Sequence, residues 1–310
     1  MNWLVRRITG LAEITAFCAM LGFCAGFLAK YHFLFDICTN FRITAIQGLL
    51  GCGVLLLIFA KKKWFGTFSL AAGIVLLFTL YPYYTGKPDH PDQVEKTRLL
   101  VFNVLTDNEE KAKVADYILS KDPDVIVLLE IDVRWRLAMM ARLSQKYPWH
   151  IERTRADNFG IAAFSKRPFT SAEILDLGEE IPSVDLCFDN VRIIGTHPVP
   201  PMNRDYRESR NRQFEALERV VNQSTLPLIV CGDMNSTPWS PAMKNFMKST
   251  GLIDSARGFG YRATWYGMHG LVGLWIDHVF HSKEITTLHR DVGPDLGSDH
   301  RAIVFDYQVN

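Results

Sequence analysis

Three long apolar runs open the chain, and short apolar runs broken by polar turns fill the rest. Residues 8–29 carry one charge, Glu13, while residues 43–60 and 65–84 carry none. Each run is near the ~20 residues that a helix needs to cross a bilayer core, the second at the short end. The alternative is a cleaved signal peptide followed by buried soluble helices. A soluble core has little use for three such runs so close together, so the pattern predicts three membrane spans. Trp64, Tyr81, Tyr83 and Tyr84 flank the third, where interfacial aromatics sit. Arg6 and Arg7 precede the first span, and Lys61-Lys62-Lys63 separates the second from the third. Basic loops stay cytoplasmic. The expectation is therefore a multi-pass protein of the plasma (inner) membrane with a cytoplasmic N-terminus. Everything after Tyr84 then lies in the periplasm or outside the cell. Lys30 and Arg42 in the first loop dilute that asymmetry.

Residues 85–97 read as a linker, since Thr85-Gly86-Lys87-Pro88-Asp89-His90-Pro91-Asp92 is rich in Pro, Gly and Asp and has no periodicity. From residue 98 to 310 the periodicity changes. Residues 98–105, 124–130, 161–165, 191–196, 228–231, 277–281 and 302–309 read as strands. Residues 107–121, 133–147 and 204–222 read as helices, the first opened by a capping box of Asp107 and Glu110. Ser240 and Pro241 make an N-cap and N1 pair for a further helix to Ser249, ended by Gly251. Helices and strands mix without strict alternation, which implies an α+β arrangement with a mixed sheet.

Charge sharpens this division. The first 85 residues hold seven Lys/Arg and two acids, and the remainder holds 27 and 31. A basic hydrophobic front is joined to a mildly acidic soluble part. The six cysteines form no Cys-x-x-Cys, so neither a zinc site nor a redox motif is indicated.

The chemistry collects where strands end. Leu228-Ile229-Val230-Cys231 is a buried-strand run, Gly232 breaks it, and Asp233 and Asn235 follow with the two-residue spacing that points extended side chains the same way. Asn103, Glu130, His197 and Asp277 also sit at strand ends, and Asp299-His300 just precedes the last strand. Each alone fits a turn, a cap or an ion pair. Together, carboxylates with a carboxamide suit a hard cation such as Mg²⁺. Histidines beside carboxylates suit acid–base work and charge stabilisation on a phosphoryl group. Metal-assisted phosphoester hydrolysis uses this set.

The order Asn103, Glu130, Thr196-His197, Gly232-Asp233-Met234-Asn235, Thr264-Trp265, Ile276-Asp277-His278 and Gly297-Ser298-Asp299-His300 resembles the endonuclease/exonuclease/phosphatase superfamily, over roughly residues 97–309. The resemblance implies a four-layer α/β/β/α sandwich of two mixed β-sheets. It also implies that Glu130 is the main Mg²⁺ ligand, with Asn103 and Asp299 beside it and Mn²⁺ as the alternative ion. Asp233 would orient or deprotonate the attacking water, and Asn235 would contact the phosphate. His300, held by Asp277, would stabilise or protonate phosphoryl oxygens. His197 matches an additional histidine of the deoxyribonuclease and sphingomyelinase branches. Two departures stand out: Leu129 where the family often has Gln, and Asn158-Phe159 where the DNA-repair branch has a tyrosine.

Arg204, Arg207, Arg210 and Arg212 open the long helix, either as a solvated face balanced by Asp205 and Glu208 or with Arg212 binding substrate phosphate. The expectation is a membrane-anchored, Mg²⁺-dependent phosphoester hydrolase. A small or lipid-borne substrate is favoured over a nucleic acid, because the soluble part lacks the basic excess of non-specific DNA binders. A membrane-anchored nuclease and a catalytically idle receptor or scaffold on the same fold are the alternatives.

Overall fold

The computed structural model describes residues 3–87 and 96–310, so most of the expected linker, residues 88–95, lies outside the described residues. Helix α1 (Trp3–Ala25) continues through a 3-10 turn to Leu28, α3 covers Arg42–Phe59, and α4 (Trp64–Leu77) runs on through α5 (Tyr81–Tyr84). These are three helices long and apolar enough to cross a membrane. Glycine lets α3 and α4 approach closely: a Cβ on Gly53 would lie 2.9 Å from the Leu70 backbone nitrogen. Between α1 and α3 lies an unforeseen helix, α2 (Phe33–Asn40), whose His32 cap accepts from the Leu34 amide.

The rest of the chain forms two six-stranded sheets. The first has the order β13-β14-β1-β2-β4-β3, built from β1 (Thr97–Asn103), β2 (Val125–Leu129), β3 (Trp149–Arg153), β4 (Ile161–Ser165), β13 (Ile285–Val292) and β14 (Ile303–Val309). The second has the order β5-β6-β7-β8-β12-β9, built from β5 (Ser171–Asp176), β6 (Pro182–Cys187), β7 (Arg192–Gly195), β8 (Leu228–Asp233), β9 (Ile253–Asp254) and β12 (Asp277–His281). Each sheet contains one parallel pair, β1 with β2 and β7 with β8, among antiparallel neighbours. A two-stranded ribbon, β10 (Trp265–Gly267) with β11 (Val272–Leu274), stands apart.

Leu99, Val101, Val127, Ile193, Ile229, Cys231 and Val279 fill the space between the sheets. On the outer face of the first sheet, α6 (Lys111–Lys121) and α7 (Val133–Leu143) bury Val114, Ile118, Trp135 and Met139. On the outer face of the second, α8 (Arg204–Asn222) and α9 (Pro241–Thr250) bury Phe214, Leu217, Met243 and Phe246. The layering is α/β/β/α. Alternation places every second residue inward. The series Leu99, Val101, Asn103 and Ile229, Cys231, Asp233 therefore begin in the core and end in polar side chains.

Two helix expectations are corrected. The capping box of Asp107 and Glu110 does not form, because Asn108 Oδ1 accepts from the Glu110 amide at 2.9 Å and the helix starts at Lys111. The helix expected over 133–147 stops at Leu143.

The apolar front docks on the sandwich. Asp36 of α2 accepts from Arg210 Nη2 at 2.5 Å and from Arg207 Nε at 3.2 Å. Arg207 Nη2 also donates to the carbonyls of Ala29 and Lys30. Asn40 Oδ1 accepts from the Thr237 amide at 3.0 Å. The Tyr83 and Trp275 rings meet edge to face at 4.6 Å. The segment joining the first two apolar helices thus shares a side with the sandwich. Lys61-Lys62-Lys63 lies beyond the other end of α3, ~27 Å away at 1.5 Å per residue.

Candidate active site

The site forms where the inter-sheet core runs out, with both sheets contributing. β8 and β12 pair with Asp233 opposite Asp277, so the strand ladder itself sets these two carboxylates side by side. β1 and β2 run parallel in the facing sheet and deliver Asn103 and Glu130 to the same end. His197 follows β7, and His300 precedes β14, held by a bridge to Trp265.

Backbone strain marks this end of the molecule. Leu105, Glu130 and Asn235 are non-glycine residues with φ of 62°, 64° and 46°, and all three line one cavity. Such conformations cost energy and concentrate at functional sites. Gly232, at φ 140°, is required for a different reason: a Cβ there would sit 1.9 Å from the Thr196 carbonyl oxygen, inside the backbone that positions His197.

A connected polar network fills the floor. Asn103 Nδ2 donates to Glu130 Oε1 at 2.9 Å and to Asp233 Oδ2 at 3.1 Å. His300 Nδ1 meets Asp277 Oδ2 at 2.9 Å, and its Nε2 lies 3.6 Å from Asp233 Oδ2. His197 Nε2 lies 3.4 Å from the same Asp233 oxygen. Asp233 Oδ1 accepts from the Asn235 amide at 2.9 Å, and Asn235 Nδ2 donates to the Pro198 carbonyl. Thr264 Oγ1 accepts from the Asp277 amide, fixing the start of β12. Trp265 Nε1 donates to Asp299 Oδ2 at 2.8 Å.

Electrostatics sets the protonation states. Burial alone would lower the His300 pKa, but Asp277 and Asp233 outweigh it and lift it to about 10, so the ring is an imidazolium at neutral pH. Burial would raise Asp233, yet His300 and His197 bring it to about 2, a carboxylate throughout. His197 is raised as well, Asp233 overcoming burial. Burial pushes Asp277 upward against the pull of His300.

Asp233, Asp277 and His300 present ligand atoms within 4.8 Å of one another, close enough for a metal ion to bridge. An ion there would compete with the strongly held His300 proton, and hard cations prefer oxygen donors. Glu130 and Asp299 are the better oxygen pair. Both line the cavity, and Asp299 Oδ1 is buried without a hydrogen-bond partner, its nearest cationic neighbour being His300 Nε2 at 4.0 Å. Asn103 turns its amide nitrogen, not its oxygen, towards the carboxylates, while its Oδ1 accepts from the Leu105 amide. To ligate an ion it must rotate that amide. With that adjustment, the residues fit a hard divalent ion.

The cavity has a volume of about 810 Å³. Beyond the polar floor its walls are mostly apolar, with Asn40, Asp157, Asn158 and Tyr206 among them, and none of the described residues lining it is Lys or Arg. Arg212 is exposed on α8, pairs with Glu179 and is not among the residues that line the cavity. The inward arginine is Arg210, one helical turn before the buried Phe214, and it is spent on Asp36 and on Ser236 Oγ at 3.0 Å. Phe159, singled out as a departure from the DNA-repair pattern, lies 5.2 Å from the His197 ring and lines the cavity. Sequence reading missed Ile37, Asn40 and Phe41, which reach this wall from the apolar front.

The model of the endonuclease/exonuclease/phosphatase family matches residues 100–300, about two thirds of the chain and every polar residue of the cavity floor. The chain belongs to this family. Its sandwich is similar to family structures of low identity. D. rerio TDP2 in complex with a single-strand DNA product is 17% identical, with TM-score 0.58, covering 70% of this chain and 100% of that one. A D. rerio TDP2 humanized by 14 mutations gives 17%, 0.57, 69% and 99%. An endonuclease/exonuclease/phosphatase from Beutenbergia cavernae DSM 12333 gives 18%, 0.55, 70% and 72%. At such identity the likeness speaks for the family fold. No curated protein matches the chain.

Proposed function

We propose that the chain is a membrane-anchored, Mg²⁺-dependent phosphoester hydrolase acting on a small or lipid-borne phosphoester. The observation that carries this reading is the convergence of ionised Asp233, the Asp277-held His300 imidazolium and the Glu130–Asp299 oxygen pair at the floor of one cavity. Asp233 accepts a proton of the attacking water and aims its oxygen at phosphorus. His300 faces the phosphoryl oxygens as a cationic donor, and Asp277 keeps its ring oriented and charged. Asn235 and His197 complete the donor set. The P–O bond to the leaving group breaks as the water oxygen bonds to phosphorus. Donors fixed before the reaction stabilise the charge that develops. Glu130, Asp299 and a rotated Asn103 would hold Mg²⁺, or Mn²⁺ in its place, which supplies Lewis-acid neutralisation of phosphoryl charge.

Nucleic acid is the second reading, favoured by the DNA product in the D. rerio TDP2 structure. Against it stands the cavity without Lys or Arg, since strand binding rests on basic neutralisation of phosphates. Three spans with cytoplasmic Lys61-Lys62-Lys63 would put the site on the periplasmic or extracellular face. The test uses the purified full chain in detergent with Mg²⁺ or Mn²⁺ against bis(p-nitrophenyl) phosphate, phosphate monoesters, phospholipid, DNA and RNA. Metal-dependent turnover of a small or lipid phosphoester supports the reading. Turnover of nucleic acid alone replaces it with the nuclease, and turnover of nothing leaves the idle receptor or scaffold.

A further inference from the structure

We propose that the segment between the first two apolar helices is a wall of the active site, and that it seats the hydrocarbon part of an amphiphilic phosphoester. The proposal rests on the phosphoesterase reading above and adds the shape of its substrate.

Ile37 and Phe41 line the catalytic cavity together with Asn40. They are not loosely apposed. Asp36, the residue before Ile37, is clamped by Arg210 and Arg207, and Asn40, the residue before Phe41, holds the Thr237 amide. Thr237 lies two residues after Asn235, so this wall and the catalytic loop are fixed to each other. Met202, Trp265, Met268 and Val272 add further apolar lining to the same cavity. A phosphate on the polar floor would therefore have a mostly apolar lining beside it, to which Ile37 and Phe41 contribute. A lining without Lys or Arg gives a second phosphate no partner but suits a hydrocarbon chain, which loses its contact with water there.

The position of this lining says where that chain comes from. Phe41 directly precedes α3, whose apolar run begins at Ile43. The cavity wall is continuous with a helix built for a bilayer. Of the residues lining the cavity, Met202 and Met268 are 65% and 71% exposed. Apolar side chains clustered at the mouth of a site mark a surface meant to be covered. Here the apolar run of a candidate membrane span begins two residues further along the chain, at Ile43, after Arg42. A lipid-borne phosphoester reaches the floor from this mouth with its tail still against Ile37, Phe41 and Met268.

The test is a series of alkyl p-nitrophenyl phosphates from methyl to dodecyl, hydrolysed by the full chain in nanodiscs. Wild-type kcat/KM should rise about two- to fourfold per methylene over the first several carbons, the scale of burying one CH₂. Ile37→Asp and Met268→Ser should each cut the dodecyl-to-methyl ratio of kcat/KM by about tenfold or more. Partition of the alkyl chain into lipid is common to wild type and variants, so the ratio isolates the wall. Met268 is exposed, which keeps its variant informative if Ile37→Asp fails to fold. Equal rates along the series, or an unchanged ratio in Met268→Ser and in folded Ile37→Asp, would overturn the proposal and leave the phosphoesterase reading standing. A preference for oligonucleotides over every alkyl ester would also overturn it. No metal-dependent hydrolysis of any member would instead remove the phosphoesterase reading itself.

Discussion

Asp36→Ala is expected to destabilise the junction between the apolar front and the sandwich. The carboxylate and the Arg210 guanidinium are each about 1% exposed, so the mutation strands a buried cation. Arg210 keeps Ser236 Oγ and Asn211 Oδ1, which satisfy donors but carry no opposite charge. Arg207 is less affected, because it keeps the carbonyls of Ala29 and Lys30. Removing one partner of a buried pair costs about 3–5 kcal/mol, and at ~2–4 °C per kcal/mol for a domain of this size the melting temperature should fall by about 6–20 °C. The double variant Asp36→Ala/Arg210→Met should recover most of the loss, since a buried pair replaced by apolar groups is often close to neutral. Thermal unfolding of the detergent-solubilised full chain measures both. Hydrogen exchange adds a local readout, with the Ser236 and Thr237 amides expected to lose protection in the single variant. A single variant that melts with wild type, or a double variant as unstable as the two singles summed, would refute the stranded-charge argument.

Three further outcomes are expected. Asp233→Asn and His300→Ala should each lower metal-dependent hydrolysis by about 10²–10⁴-fold without loss of fold, as removal of an acid–base group does; near-wild-type turnover in either would take that residue out of the chemistry. Glu130→Gln should shift the midpoint of a Mg²⁺ titration upward, because a hard cation loses a charged oxygen, and an unmoved midpoint would strike Glu130 from the ligands. A reporter fused after Lys96 should be active only outside the cytoplasm, given the basic residues before the first span and after the second; cytoplasmic activity there would reverse the topology.

What the sequence revealed follows from burial. The strands β1, β2 and β8 that lead to the candidate site are almost wholly buried, so they read as continuous apolar runs with polar ends, while β12 is buried but interrupted by His278. β3 and β5 lie at sheet edges with half-exposed side chains, and no apolar run announces them. β6 is buried but carries Asp185, whose charge is matched by Arg192 on the adjacent strand, a pairing that only the folded register supplies. Arg212 lies on the exposed face of α8, whereas Arg210, four residues before Phe214, lies on the buried face, a distinction that the helical period carries. Asp36 offered one clue: it is one of only two acids in the first 85 residues. Its partners lie more than 170 residues away, beyond any local pattern.

The alternation that carries Leu99, Val101 and Asn103 down one strand, and Ile229, Cys231 and Asp233 down another, has an implication for how this protein can change. The polar groups of the candidate site are the last stratum of the hydrophobic interior rather than fittings attached to its surface. Enlarging Cys231 or trimming Val101 would be transmitted along close-packed neighbours to atoms two residues further on. Sheet-core substitutions should therefore be graded by their depth below Asn103 and Asp233. Those in the adjoining layer would be felt as altered turnover before altered stability, and those at the far end, near Phe188 and Ile285, as stability alone. Sequence drift in such a molecule is throttled from within, most tightly where aliphatic side chains give way to carboxylates.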